Sequence, residues 1–272
     1  MSARLALAEA LIGWFQPESR YLIAFSGGVD SAVVATAAAK SDAICIAVTA
    51  VSPSVAEVEL RDAELTAKQI GIEHRQVDTS EIDLPAYRVN DGKRCYFCKS
   101  TLYSALRSLE PNARIVSGTN LDDLGDYRPG LSAAAEYGVL QPLVDLGIGK
   151  AEVRKLAAGW NLTIADKPAS PCLASRIAYG VEVTSQRLAM IEQAESGLRE
   201  LGFNELRVRC HHDNLARVEL PSDQLAMLAE ESLRLRIVKV VKEAGFSFVT
   251  LDLAGLQSGS LNSLLQISLP DT

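Results

Sequence analysis

YLIAFSGGVDS, residues 21–31, sets a short apolar run against a glycine turn and the start of a helix. Residues 21–25 carry no polar side chain that would mark a solvent-facing position except the Tyr21 hydroxyl, the pattern of a strand buried on both faces. Gly27 and Gly28 break the run, and the Ala- and Val-rich segment after them reads as a helix. A strand, a tight turn and a helix in that order are the unit from which parallel sheets are built.

The same alternation continues outward. AICIAVTA (43–50) reads as a second strand, and SVAEVELRDAELTAKQIG (54–71) as a helix stopped by Gly71. EHRQVDTS (73–80) is a third strand, STLYSALRSLE (100–110) a helix, and ARIVSGTN (113–120) a fourth strand running into a turn. A further helix begins at about Lys150. Strands alternating with helices of this length predict a parallel α/β domain. Around residues 163–185 the character changes to prolines and small polar residues without period. Beyond lie a helix (185–203), two strands or a hairpin (205–221), a helix (222–244) and a last strand, a smaller α+β unit. The expected domains are 1–180 and 181–272.

Composition narrows the function. With 48% hydrophobic and 22% charged residues in 272, the chain is an ordinary soluble globular type. A formal charge of −7 weighs against nucleic acid as a partner, because phosphate contacts need an excess of Lys and Arg. No apolar run approaches a membrane span, and the opening residues read as an amphipathic helix and not as a secretion signal. Five cysteines without such a signal point to the reducing cytoplasm, where close thiols serve metal or redox chemistry.

The SGGVDS turn stands at the carboxyl end of its strand, where an open parallel sheet places its ligand. Gly27 and Gly28 let bare N–H groups approach an anion, and the helix behind them presents its positive end. Ser26 and Ser31 add hydroxyl donors, and Asp30 is placed to orient a Mg²⁺ carried by a triphosphate. The turn has no Lys, so it is not the usual nucleoside-triphosphate loop, and GxGxxG is absent as well. The complete hexapeptide resembles the pyrophosphate loop of the PP-loop ATPases, over residues 20 to about 170. That resemblance implies an adenine nucleotide alpha hydrolase-like fold and attack at the α-phosphate of ATP, giving an adenylated substrate and pyrophosphate. It also implies nucleotide contacts for Gly118, Thr119, Asn120 and Asp122 in SGTNLDD, with Lys150 of PLVDLGIGKAEVRKLA near the phosphates.

RCYFCKS (94–100) puts Cys95 and Cys98 among basic residues, which favour thiolates. No redox βαβ pattern begins there, so a thioredoxin-like role is not expected. Cys172 in SPCLASR is the natural third ligand of a metal site. Cys210, His211 or His212 would complete a zinc set, whereas a [4Fe–4S] cluster on Cys95, Cys98 and Cys172 would keep one iron open for sulfide. Cys45, inside an apolar strand, is expected to fill the core.

DYRPGL (126–131), CLASRIAYG (172–180), LRVRCHHDNLARVELP (206–221) and FSFVTLDLAGLQSGSLN (246–262) are similar to the LarE family of sulfur transferases, over essentially the whole length. The resemblance implies adenylation of a carboxylate of pyridinium-3,5-biscarboxylic acid mononucleotide and its conversion to a thiocarboxylate for the nickel-pincer cofactor of lactate racemase. Some members surrender the sulfur of one cysteine; others have three cysteines and carry a [4Fe–4S] cluster. The CxxC with a later Cys resembles the second branch. The sacrificial cysteine of the first stands one place farther from the Ser-Arg pair, where this chain has Pro171, so Cys172 is expected as a cluster ligand and, alternatively, as a shifted sulfur donor. Ser175, Arg176, Glu195, Arg207 and Arg209 are the expected substrate contacts; Arg207 and Arg209 alternate on a strand and so share a face. Trimers or hexamers are the expected assembly. The rivals are a PP-loop tRNA thiolase, an amide-forming ligase and a nucleotide-binding protein with structural zinc.

Overall fold

The structure is a computed structural model and describes residues 3–125, 129–168, 170–257 and 260–261, with no side-chain statement for residues 3 and 4. Asp126–Arg128 of the DYRPGL motif and parts of the 246–262 motif lie outside the described residues. The chain divides into two units, Met1–Glu81 with Cys95–Ser170, and Ile82–Arg94 with Pro171–Thr272.

In the first unit α1 (Ala3–Trp14) leads to β1 (Arg20–Ala24), α2 (Val29–Ala39), β2 (Ile44–Val51), α3 (Glu57–Ile70) and β3 (Glu73–Asp78). The chain then passes through α4 (Pro85–Arg88) of the second unit and returns with α5 (Arg94–Leu109), β4 (Arg114–Ser117), α6 (Pro129–Glu136), α7 (Pro142–Asp145) and α8 (Lys150–Gly159). The four strands are all parallel in the order β3-β2-β1-β4. β1 explains the apolar run: Tyr21 and Ile23 enter one buried cluster, with Leu11, Phe15 and the side chains of α2 and α8. Leu22 enters the opposite one, with Leu102, Leu106 and Ala134 from α5 and α6. A strand covered on both faces has no polar side to show.

The helix that carries the cysteine pair starts earlier than its sequence suggests, at Arg94 and not at Ser100. Asp91 begins it: its carboxylate accepts the Lys93 N–H (2.7 Å) and its carbonyl the Arg94 N–H (3.2 Å). An Asx turn of this kind supplies a helix start that no apolar period announces.

The second unit packs α9 (Ser185–Glu200) and α10 (Glu231–Glu243) with a three-stranded sheet, β5 (Arg207–Cys210), β6 (Leu215–Glu219) and β7 (Phe248–Leu251). β5 and β6 form the antiparallel hairpin, and β7 runs parallel to β6. Thr184 caps α9, its side chain accepting the Arg187 N–H (3.2 Å). Asn90, fully buried and at φ 57°, donates to the carbonyls of Ala178 (2.8 Å) and Val181 (2.9 Å), so the turn at residues 177–181 is pinned by a residue nearly ninety positions earlier.

Candidate active site

In the order β3-β2-β1-β4 the chain reverses direction across the sheet between β1 and β4. The crevice at the carboxyl ends of such a pair is where open α/β sheets bind ligands. Both loops singled out in the sequence, Ser26–Ser31 after β1 and Gly118–Asp123 after β4, leave from those two strand ends.

Two glycines let them meet. Gly27 has φ +72°, and a Cβ there would lie 2.8 Å from the Ala63 Cα of α3. At Gly118 a Cβ would come within 2.6 Å of the Ser31 N. A side chain at either place would push the two loops or α3 apart. Within the first turn, Gly28 N–H donates to Ser26 Oγ (3.3 Å), and Ser31 Oγ donates to the Gly28 carbonyl (3.0 Å). Ser26 and Ser31 hydroxyls lie 3.2 Å apart. The turn is thus held by its own small polar groups in front of the positive end of α2.

Asn120 joins the loops: fully buried, it donates from Nδ2 to Asp30 Oδ1 (2.9 Å). Burial pushes the Asp30 carboxyl up from its ordinary pKa; the Asn120 bond opposes that, and the nearby Asp123 carboxylate adds to it. Thr119 shares a hydrogen bond with Ser117 (Oγ···Oγ1 3.0 Å). Asp122 accepts the Lys150 N–H (2.5 Å) at the start of α8, where Gly149 leaves room for its carboxylate. Asp122 therefore caps α8 within the group of residues expected around the nucleotide. Its neighbour Asp123 is the buried one, accepting Asn120 N–H (3.2 Å) and lying 3.5 Å from Lys150 Nζ. Sequence reasoning missed Asp123, because two adjacent Asp in a turn look alike until burial separates them.

In the second unit the Ser175–Arg176 pair sits in a one-turn helix, Leu173–Arg176, immediately after Cys172. Arg176 is buried and turned inward: Nε donates to Glu195 Oε1 (3.1 Å), and Nη1 donates to the carbonyls of Pro171 and Cys172. Glu195, equally buried, also accepts Val208 N–H (3.1 Å) and Arg199 Nη2 (3.1 Å). Arg176 is thus a clamp on the backbone that carries Cys172. Arg209 donates to the Ser175 carbonyl (2.9 Å) and pairs with Glu219 (2.9 Å), which is fully buried and was not foreseen. Arg207, on the same face, gives one N–H to the Gln257 carbonyl (3.0 Å). Burial, and then the positive charges of Arg209 and Arg176, pull its pKa down, as expected where three guanidinia share one neighbourhood. The buried Arg94 donates to the Ala174 carbonyl (2.8 Å).

The five cysteines separate by environment. Cys95 and Cys172 are exposed, and Cys98 is half-buried one helical turn from Cys95 on α5. Cys45 packs beside the first core and burial pushes its thiol up to about 11. Cys210 is fully buried, its pKa raised by burial, which disfavours the thiolate a zinc ion needs. Among the described residues no cluster of three His, Cys, Asp or Glu side chains could hold a metal ion, and no helix is long and apolar enough to cross a membrane.

Comparison with known proteins supplies the family. The asparagine synthase family model matches residues 3–91. An uncharacterized protein of Synechocystis is 45% identical over 263 residues, covering 94% of this chain and 97% of that protein. Pyridinium-3,5-bisthiocarboxylic acid mononucleotide synthase of Lactiplantibacillus plantarum is 33% identical over 270 residues, covering 97% and 96%. An uncharacterized protein of Methanocaldococcus jannaschii is 30% identical over 238 residues, covering 86% and 89%. The likeness spans both units, the glycine turn and the Cys172 loop alike, and the chain belongs to the LarE family of ATP-dependent sulfurtransferases, with the PP-loop α/β fold.

Proposed function

We propose that this enzyme adenylates a carboxylate of pyridinium-3,5-biscarboxylic acid mononucleotide and converts it to a thiocarboxylate, a step in making the nickel-pincer nucleotide. The observation that carries the reading is the construction of the Cys172 loop. Its thiol is exposed, while the backbone on either side is clamped by Arg176, itself locked on the buried Glu195. A sulfur on backbone held this firmly suits chemistry at a fixed place, and Arg207 and Arg209 of the same unit would supply charge for an anionic substrate.

In this reading ATP lies on the Ser26–Ser31 turn. The N–H groups and hydroxyls of Ser26, Gly27, Gly28 and Ser31 hold the leaving pyrophosphate, and Asp30 would hold Mg²⁺. Gly118, Thr119 and Asn120 line the nucleotide, while Asp122 and Lys150 form the wall behind it. A substrate carboxylate oxygen attacks the α-phosphorus, the bond to the bridging oxygen of pyrophosphate breaks, and an acyl adenylate forms. A sulfur nucleophile then adds to the acyl carbon and AMP leaves with the carboxyl oxygen. Adenylation is needed because a carboxylate oxygen is by itself a poor leaving group. Ser175, Arg207 and Arg209 would orient the mononucleotide, while Arg176, held by Glu195, would keep the Cys172 backbone in place.

Cys95, Cys98 and Cys172 would hold the [4Fe–4S] cluster; Cys95 and Cys172 are exposed and Cys98 half-buried, whereas Cys45 packs against a core and Cys210 is fully buried. When bound, such a cluster supplies sulfide from its open iron. The enzyme would work in the cytoplasm as a homo-oligomer, with a separate sulfur donor. Anaerobic purification with iron and sulfide counts and an absorption spectrum tests the cluster. About four irons per chain are expected, and stoichiometric zinc would overturn it. Pyrophosphate release that depends on the mononucleotide acid, and not on tRNA or ammonia, tests the substrate.

A further inference from the structure

The Ser26–Ser31 turn hangs on the peptide that joins Phe25 to Ser26, and side chains hold both sides of that peptide. Its N–H donates to Ser31 Oγ (3.3 Å), inside the turn. Its C=O accepts from Thr49 Oγ1 (2.8 Å), on the neighbouring strand β2. Thr49 is 3% exposed, so this bond is shielded from water. Behind it, His74 Nε2 on β3 lies 2.8 Å from the same Oγ1. The His74 ring also meets the Phe25 ring edge-on, with centroids 5.8 Å apart at 73°.

A threonine has one hydroxyl proton. Given to the Phe25 carbonyl, it leaves Oγ1 as an acceptor toward the ring, so Nε2 carries the imidazole proton and donates. The hydrogen bonds therefore run in one direction, from His74 through Thr49 to the carbonyl at the root of the turn. Burial lowers the His74 pKa and the Glu64 carboxylate of α3 opposes that shift; either protonation state keeps a donor at Nε2 in this arrangement. His74 stands half-buried on a strand whose other side chains are largely exposed and polar.

We propose that His74 is a positioning residue: through Thr49 it fixes the plane of the Phe25–Ser26 peptide, and with it the N–H and hydroxyl groups that meet the leaving pyrophosphate. This rests on the reading of Ser26–Ser31 as the nucleotide turn. The test uses the full-length enzyme and the variants Thr49→Val, Thr49→Ser, His74→Met and His74→Gln, together with the double variant T49V/H74M. Gln places an amide N–H where Nε2 stands, and Met does not. Thr49→Val and His74→Met should each raise KM for ATP in pyrophosphate release about five- to tenfold, the effect of one lost hydrogen bond. KM for the acceptor acid should stay unchanged. Thr49→Ser and His74→Gln should restore KM for ATP to within about twofold, and His74→Met should add nothing on top of Thr49→Val.

A thermal midpoint lowered by His74→Met with KM for ATP unmoved would overturn the proposal, as would effects of the two substitutions that simply multiply. If Thr49→Val does not fold, the contrast between His74→Met and His74→Gln decides alone. Gly27→Ala separates the levels: intact ATP binding in that variant sinks the turn itself, whereas lost binding there beside silent Thr49 and His74 variants sinks only the relay.

Discussion

The first unit builds its site from backbone and the second from buried charge. Around Ser26–Ser31 the key elements are a positive φ, a missing Cβ and a few N–H groups, with hydroxyls of Ser26 and Ser31 tying the turn to itself. Around Cys172 they are Arg176, Arg209, Glu195 and Glu219, each no more than 5% exposed and each drawn from a different element. A backbone site is local and stiff by construction. A charged site depends on every partner arriving, because one absent partner strands the others in a low-dielectric interior. The two should therefore fail differently when broken.

The largest effect is expected at Glu195. Glu195→Ala removes the acceptor of Arg176, Arg199 and the Val208 N–H together. A loss of about 3–5 kcal/mol in unfolding free energy, read by denaturant titration, is the expected result. A loss under about 1 kcal/mol would mean that water reaches the arginines and the site is not built on buried charge.

Gly27→Ala breaks the other kind of site. The protein should stay folded, but pyrophosphate release should fall about a hundredfold, as when reacting groups are misplaced by an ångström. Near-normal turnover would show that the turn tolerates a Cβ beside Ala63 and that backbone approach is not what it contributes.

The cysteines sharpen the contrast by pH. Cys45 titrates at about 11 in the fold, above its ordinary value near 9, so the folded state keeps a proton that the unfolded chain gives up. Stability tied to that proton is present below pH 9 and is lost as pH rises toward 11. Denaturant midpoints should fall over that window and fall less in Cys45→Val. In alkylation followed by mass spectrometry at pH 8, Cys95 and Cys172 should label first. Cys45, only about one part in a thousand thiolate at that pH, should lag well behind. Equal labelling of all five would remove the distinction between exposed and packed thiols.

The smallest effect belongs to exposed charge. Lys155 and Glu152 approach within 3.8 Å on the open face of α8. Lys155→Ala should cost no more than about 0.5 kcal/mol. A larger loss would show that surface pairs and buried networks differ less here than their surroundings suggest.

Much of the molecule is legible in its sequence. The parallel sheet, the hairpin of the second unit and the two loops after β1 and β4 all come from contiguous residues, because glycine turns and apolar periods are local signals. The resemblance of SGGVDS and of the Cys172 loop points to the family in the same way. Asp123, Asn90 and Glu219 are not legible, since each is an ordinary polar residue whose weight comes from burial and from partners distant in the chain. Arg176 shows the division within one side chain. Its sequence position marks it as part of the site, but a guanidinium has donors for either an anion or a carbonyl. Only the packing of α9 against β5, which brings Glu195 beneath it, turns that guanidinium inward to grip the backbone of Cys172. Local sequence specifies which groups are present; the long-range pairing of buried charges determines which way they face.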